Sequence, residues 1–79
     1  MARIRSLDPT VNMIVAAKIL GNEGRLNDPS NDDILIYAAE YCEAEKWPCY
    51  ADLAAISPRH RNQIIAAYDE GNEEFELGE

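Results

Sequence analysis

Two prolines each stand directly behind a residue that caps helices, Asp8 before Pro9 and Ser57 before Pro58. Proline lacks an amide hydrogen and holds φ near the helical value, so it suits the first turn of a helix and disrupts any later one. Both pairs therefore fix helix starts. A third start follows from "SNDD": Ser30 or Asn31 caps, and Asp32 and Asp33 then fall where the helix dipole favours negative charge. Three such starts in 79 residues predict an all-α fold of one domain.

The stops are read from glycine and proline. "LDPTVNMIVAAKILG" is expected to be a helix ended by Gly21, with Val11, Ile14, Val15 and Ile19 or Leu20 along one side. Its β-branched residues leave strand open by periodicity, and the caps decide for helix. Gly21 to Ser30 collects turn formers and reads as a loop. The next helix, from Ser30 to Lys46, has a wide apolar face and is expected to be central, with Lys46 in its last turn and Pro48 ending it. Tyr50 to Ile56 reads as a short helix and Pro58 onward as a longer one that stops at Gly71.

The expected architecture is thus a small bundle of three main helices and one short one over residues 1–71, with a mobile acidic tail over 72–79. Its core is expected to hold Ile14, Val15, Ile34, Leu35, Ala38, Tyr41, Leu53, Ile56, Ile64, Ile65 and Tyr68. A core this small makes self-association or partner binding a natural source of added stability.

Charge is unevenly spread. The net charge is -8, but from Asp69 onward there are six acids and no base, while the preceding 68 residues hold nine acids and seven bases. The body therefore carries -2 and the end -6. Domains that bind nucleic acid carry a clear basic excess, and this body has none.

Several chemistries find no support in the residue set. There is a single histidine, no glycine-rich phosphate loop and no H-E-x-x-H pairing, so we expect no enzyme. Cys42 and Cys49 make neither a C-x-x-C pair nor, with His60, a four-ligand zinc set; we expect two packed thiols, no metal and no cofactor. The sequence leads us to expect neither a secretory signal nor a membrane span, and hence a cytoplasmic protein.

Two resemblances bear on function. "YADLAAISPRHRNQIIAAYDEG" resembles the helix-turn-helix phrase of winged-helix proteins, although Ser57 and Pro58 leave one or two residues where that motif has a turn of three or four with glycine. "MARIRSLDP" followed by "NEGRL" is similar to the opening phrases of phage and prophage replication-type winged-helix proteins. The second resemblance implies a phage or mobile-element origin and transfers no site residues.

Two functions follow as expectations. The first is a small acidic interaction module that inhibits a larger, nucleic-acid-handling host protein in the manner of an anti-CRISPR inhibitor, its carboxylates meeting a basic partner surface. Its candidate contacts are Asp32, Asp33, Glu40 and Glu43 on the second helix and Glu73 and Glu74 in the tail. Tyr37, Tyr41, Trp47 and Tyr50 are candidate aromatic anchors unless they pack in the core. The alternative is a DNA-binding regulator reading bases with Arg59, Arg61, Asn62 and Gln63, with Arg3 and Arg5 on an arm to the minor groove.

Overall fold

In the computed structural model, which describes residues 5–77, the chain forms α1 (Pro9–Glu23), α2 (Asn31–Glu45), a 3-10 turn (Leu53–Ala55) and α3 (Pro58–Leu77). The all-α bundle is as expected, with no strand among the described residues. Arg3 and Glu79 lie outside the described residues.

Each helix starts where its cap puts it. The Asp8 side chain accepts from the Thr10 amide at 2.9 Å, and Pro9 opens α1. Ser30 and Asp33 form a reciprocal capping box, each side chain accepting from the other's amide. The Ser57 hydroxyl accepts from the His60 amide at 3.3 Å, ahead of Pro58 in α3. Lys46 caps the end of α2 in the left-handed region (φ 66°) instead of continuing its last turn. Its amide donates to the Glu43 carbonyl and the Trp47 amide donates to the Cys42 carbonyl, which turns the chain sharply out of the helix.

The expected helix between Tyr50 and Ile56 is a single 3-10 turn. Asp52 accepts from the Ala54 amide at 3.0 Å and so starts a turn, but Ser57 caps α3 five residues later, and the residue before a proline is disfavoured from helical geometry. One turn is all that fits.

Gly21 and Gly71 do not end helices. α1 runs on to Glu23 and is capped by Gly24 at φ 65°, while α3 passes through Gly71 to Leu77. The two glycines meet where α1 crosses α3. A Cβ on Gly21 would collide with the Tyr68 carbonyl oxygen and lie 2.7 Å from the Asn72 amide nitrogen. One on Gly71 would collide with the Lys18 carbonyl oxygen and lie 3.2 Å from the Asn22 amide nitrogen. Each glycine costs about 1 kcal/mol of helix propensity relative to alanine, and the close crossing is what makes that cost worthwhile. Residues 72–77, expected to lie beyond the domain, are the last turns of α3, where the Phe75 ring rests against Gly24 while Leu77 stays exposed.

This crossing makes α1, rather than α2, the central helix: it packs most extensively on α3 and also carries α2. Its buried face is Thr10, Met13, Ala16, Ala17, Leu20 and Gly21, one position round from the face expected from the bulky residues. Ile14 and Val15 are half-buried and Val11 is exposed. Small residues win the core side here because they let helix backbones approach closely. Ile34, Leu35, Ala38, Ile56, Ile64 and Tyr68 are buried as expected and are joined by Cys42 and Ala67; Tyr41, Leu53 and Ile65 pack half-buried around them.

If the crossing holds the bundle, Gly21→Ala and Gly71→Ala each lower the stability measured by urea unfolding by about 1–3 kcal/mol, the cost of overpacking, despite alanine's better helix propensity. Glycines in ordinary helical geometry that met no backbone of the other helix would give neutral or stabilised variants.

Candidate functional site

Polar groups on α1 hold the irregular segment between α2 and α3. Asn12 is fully buried, and its side-chain amide donates to the Pro48 carbonyl at 2.7 Å and to the Ser6 carbonyl at 3.0 Å. The sequence showed Asn12 only as an interruption of an apolar run; it is a clamp. Two positions earlier the Thr10 hydroxyl meets the Tyr50 hydroxyl and lies 3.3 Å from His60 Nδ1. Residues 47–53 are thereby pinned against the start of α1, close to the start of α3.

Between this segment and α2 lies an open groove of about 540 Å³, within the range of about 300–1,000 Å³ usual for ligand sites. Its apolar surface comes from Ile36 and Ala39 on α2 and from Trp47, Tyr50 and Leu53 opposite. Glu40 and Glu43 complete the α2 side. Cys49 ties the two sides together, its thiol pointing to the Ala39 carbonyl at 3.9 Å. The Trp47 indole is held from one side by Tyr41, with ring centres 5.6 Å apart and planes tilted by 55°. A second depression of about 290 Å³ adjoins the first, sharing Ile36 and Leu53 and reaching Asp32 and Arg61.

The expected site residues divide into separate groups. Glu40, Glu43, Trp47 and Tyr50 come together around the groove. Asp32 lies at the second depression, 2.6 Å from Arg61 in an ion pair linking α2 to α3. Asp33 is used in the capping box. Tyr37 is exposed on α2 and does not line either depression. Glu73 and Glu74 stand on the far half of α3, and Glu74 shares Lys18 with Glu70. Arg59, Asn62 and Gln63 are exposed on one side of α3's first turns, whereas Arg61 is half-buried against Asp32. Ile36, Ala39 and Leu53 are the functional candidates missed in the sequence. Only the break in amphipathicity at Ile36, an isoleucine on the polar side of α2, could have marked them.

Glu40 and Glu43 make no ion pair among the described residues, whereas Lys18, Arg25 and Arg61 are each paired with a carboxylate within the fold. Burial raises the Cys49 thiol above its ordinary pKa, partly offset by hydrogen bonds from the Cys42 thiol and the Tyr50 backbone, and the Glu43 carboxylate adds a smaller push in the same direction as burial. Cys42, buried beneath, is pushed up to about 12 by burial and by its neighbour Cys49. Both are packed thiols, and no cluster suited to a metal ion occurs among the described residues.

A thiol that keeps its proton to higher pH when folded than when unfolded stabilises the fold fully below pH 9.0 and loses that contribution as pH rises towards about 12. Unfolding free energy should therefore fall across that alkaline window, and Cys42→Ala should make the decline shallower; an unchanged slope would show that Cys42 is not buried as described. No helix among the described residues is long and apolar enough to cross a membrane. Comparison of the chain with protein-family models, curated proteins and solved structures finds no match, so the reading of its function rests on its own residues.

Proposed function

We propose that this protein is a small acidic interaction module, encoded by a phage or mobile element, that binds and inhibits a larger host protein which handles nucleic acid. The observation that carries the reading is the pairing of an apolar groove with Glu40 and Glu43, two carboxylates left without an internal partner at its side. Carboxylates and exposed apolar surface side by side suit a basic protein face: the charges steer and orient the encounter, and the apolar surface supplies most of the binding energy. The remaining acids of α3 extend the same negative field and repel nucleic acid, which favours capture of the protein that normally holds it.

A DNA-reading function has one observation in its favour, the exposed row Arg59, Asn62 and Gln63 at the start of α3. It has two against it. Arg61 is committed to Asp32, and the element before α3 is a single 3-10 turn rather than the first helix of a helix-turn-helix.

Affinity capture from a nuclease-treated bacterial lysate separates the two. The module reading predicts a retained larger protein that Glu40→Lys combined with Glu43→Lys releases. Duplex DNA binding that falls steeply with salt and is weakened by Arg59→Ala, with no protein retained, would overturn it.

A further inference from the structure

We infer that the groove between α2 and residues 47–53 takes a protein segment carrying an aliphatic anchor flanked by lysine or arginine, an inference that rests on the module reading above and names the chemistry of its partner. The groove offers two kinds of surface and both point to the same occupant. Ile36, Ala39, Trp47 and Leu53 present apolar area that only an apolar side chain desolvates without loss. Among the described residues, Glu40 and Glu43 are the only charged ones lining this depression, so the charge they present to an occupant is negative.

Charge excludes the other occupants. A nucleic acid or an anionic lipid surface would bring phosphates against Glu40 and Glu43, with no cation among the described residues lining the groove to receive them. A second copy of this chain carries its own -8, so two copies repel each other on net charge. A cationic segment gains from both carboxylates, and its aliphatic side chain gains from the apolar lining.

The groove is also preformed, which lowers the cost of binding. The Trp47 amide is bonded to the Cys42 carbonyl at 2.9 Å and its ring is supported by Tyr41. The Pro48 carbonyl is held by the buried Asn12. Trp47 is therefore a fixed wall, with no loop needing to order before an anchor enters.

Trp47 is the single tryptophan, so its fluorescence reports on the groove directly. The probe is a synthetic peptide of lysines and alanines bearing two leucines, compared with the same peptide bearing serines in their place. The inference predicts a saturable blue shift with the leucine peptide and binding at least about tenfold weaker with the serine peptide. It predicts the same loss for Ile36→Ser and for Glu40→Lys combined with Glu43→Lys, all three exposed positions, with thermal unfolding confirming that each variant folds. Glu73→Lys combined with Glu74→Lys should stay within about twofold of the parent.

Equal binding of the serine peptide, equal loss from the Glu73 and Glu74 reversal, or no saturable shift overturns the inference. Failure here is separable from failure of the module reading. A captured lysate protein that Ile36→Ser still holds and the Glu73 and Glu74 reversal releases would move the partner to α3 and leave the module standing. Capture of no protein by any form would remove the module itself.

Discussion

The close crossing of α1 and α3 at Gly21 and Gly71 is the constraint from which the rest of the molecule follows. With no Cβ on either residue, each glycine can sit against the other helix's backbone, and Ala16, Ala17 and Ala67 are small residues buried in the core of the same two helices. The result is a flat body of 33 × 31 × 17 Å in which α1 is shared by both other helices. Because α2 packs much more on α1 than on α3, one side of α2 remains open between the helix and the chain that leaves it. That open side is where the groove forms.

Polar groups then decide the shape of the groove. A buried asparagine amide that lost its partners would pay a desolvation cost of about 1–3 kcal/mol, so the bonds from Asn12 to Pro48 and Ser6 fix the path of the chain more firmly than exposed ion pairs do. The pairs Lys18 with Glu70 and Glu74, and Arg61 with Asp32, are solvent-exposed and contribute at most about 1 kcal/mol each. They engage Lys18 and Arg61 within the fold, whereas Glu40 and Glu43 make no ion pair among the described residues.

The starts of the helices were legible because capping is local: Asp8, Ser30 and Ser57 lie within three residues of the amides they receive. The ends were not, since a glycine that terminates a helix and a glycine that admits another helix look the same in one dimension. Among the described glycines, only Gly24, with its positive φ, behaves as a stop. The rotation of α1's buried face escaped for a related reason, as bulk suggested Val11, Ile14 and Val15 while the crossing required Ala17 and Gly21. Of the candidate site, Glu40 and Glu43 are legible from helical periodicity as water-facing acids of α2, and Trp47 and Tyr50 from residue type, while their assembly into one groove depends on the tertiary clamp at Asn12.

A close-packed pair of helices displays a third, a buried asparagine holds the opposing wall, and the proposed basic partner segment would meet Glu40 and Glu43, which make no ion pair among the described residues. Amide chemical-shift mapping by two-dimensional NMR during titration with the leucine-bearing basic peptide tests that claim most directly. The account predicts the largest shifts at Ile36 to Glu43 and at Trp47 to Leu53, with the first turns of α3 and residues 69–77 nearly unmoved. Shifts concentrated at residues 69–77, or at Arg59 to Gln63, would contradict it.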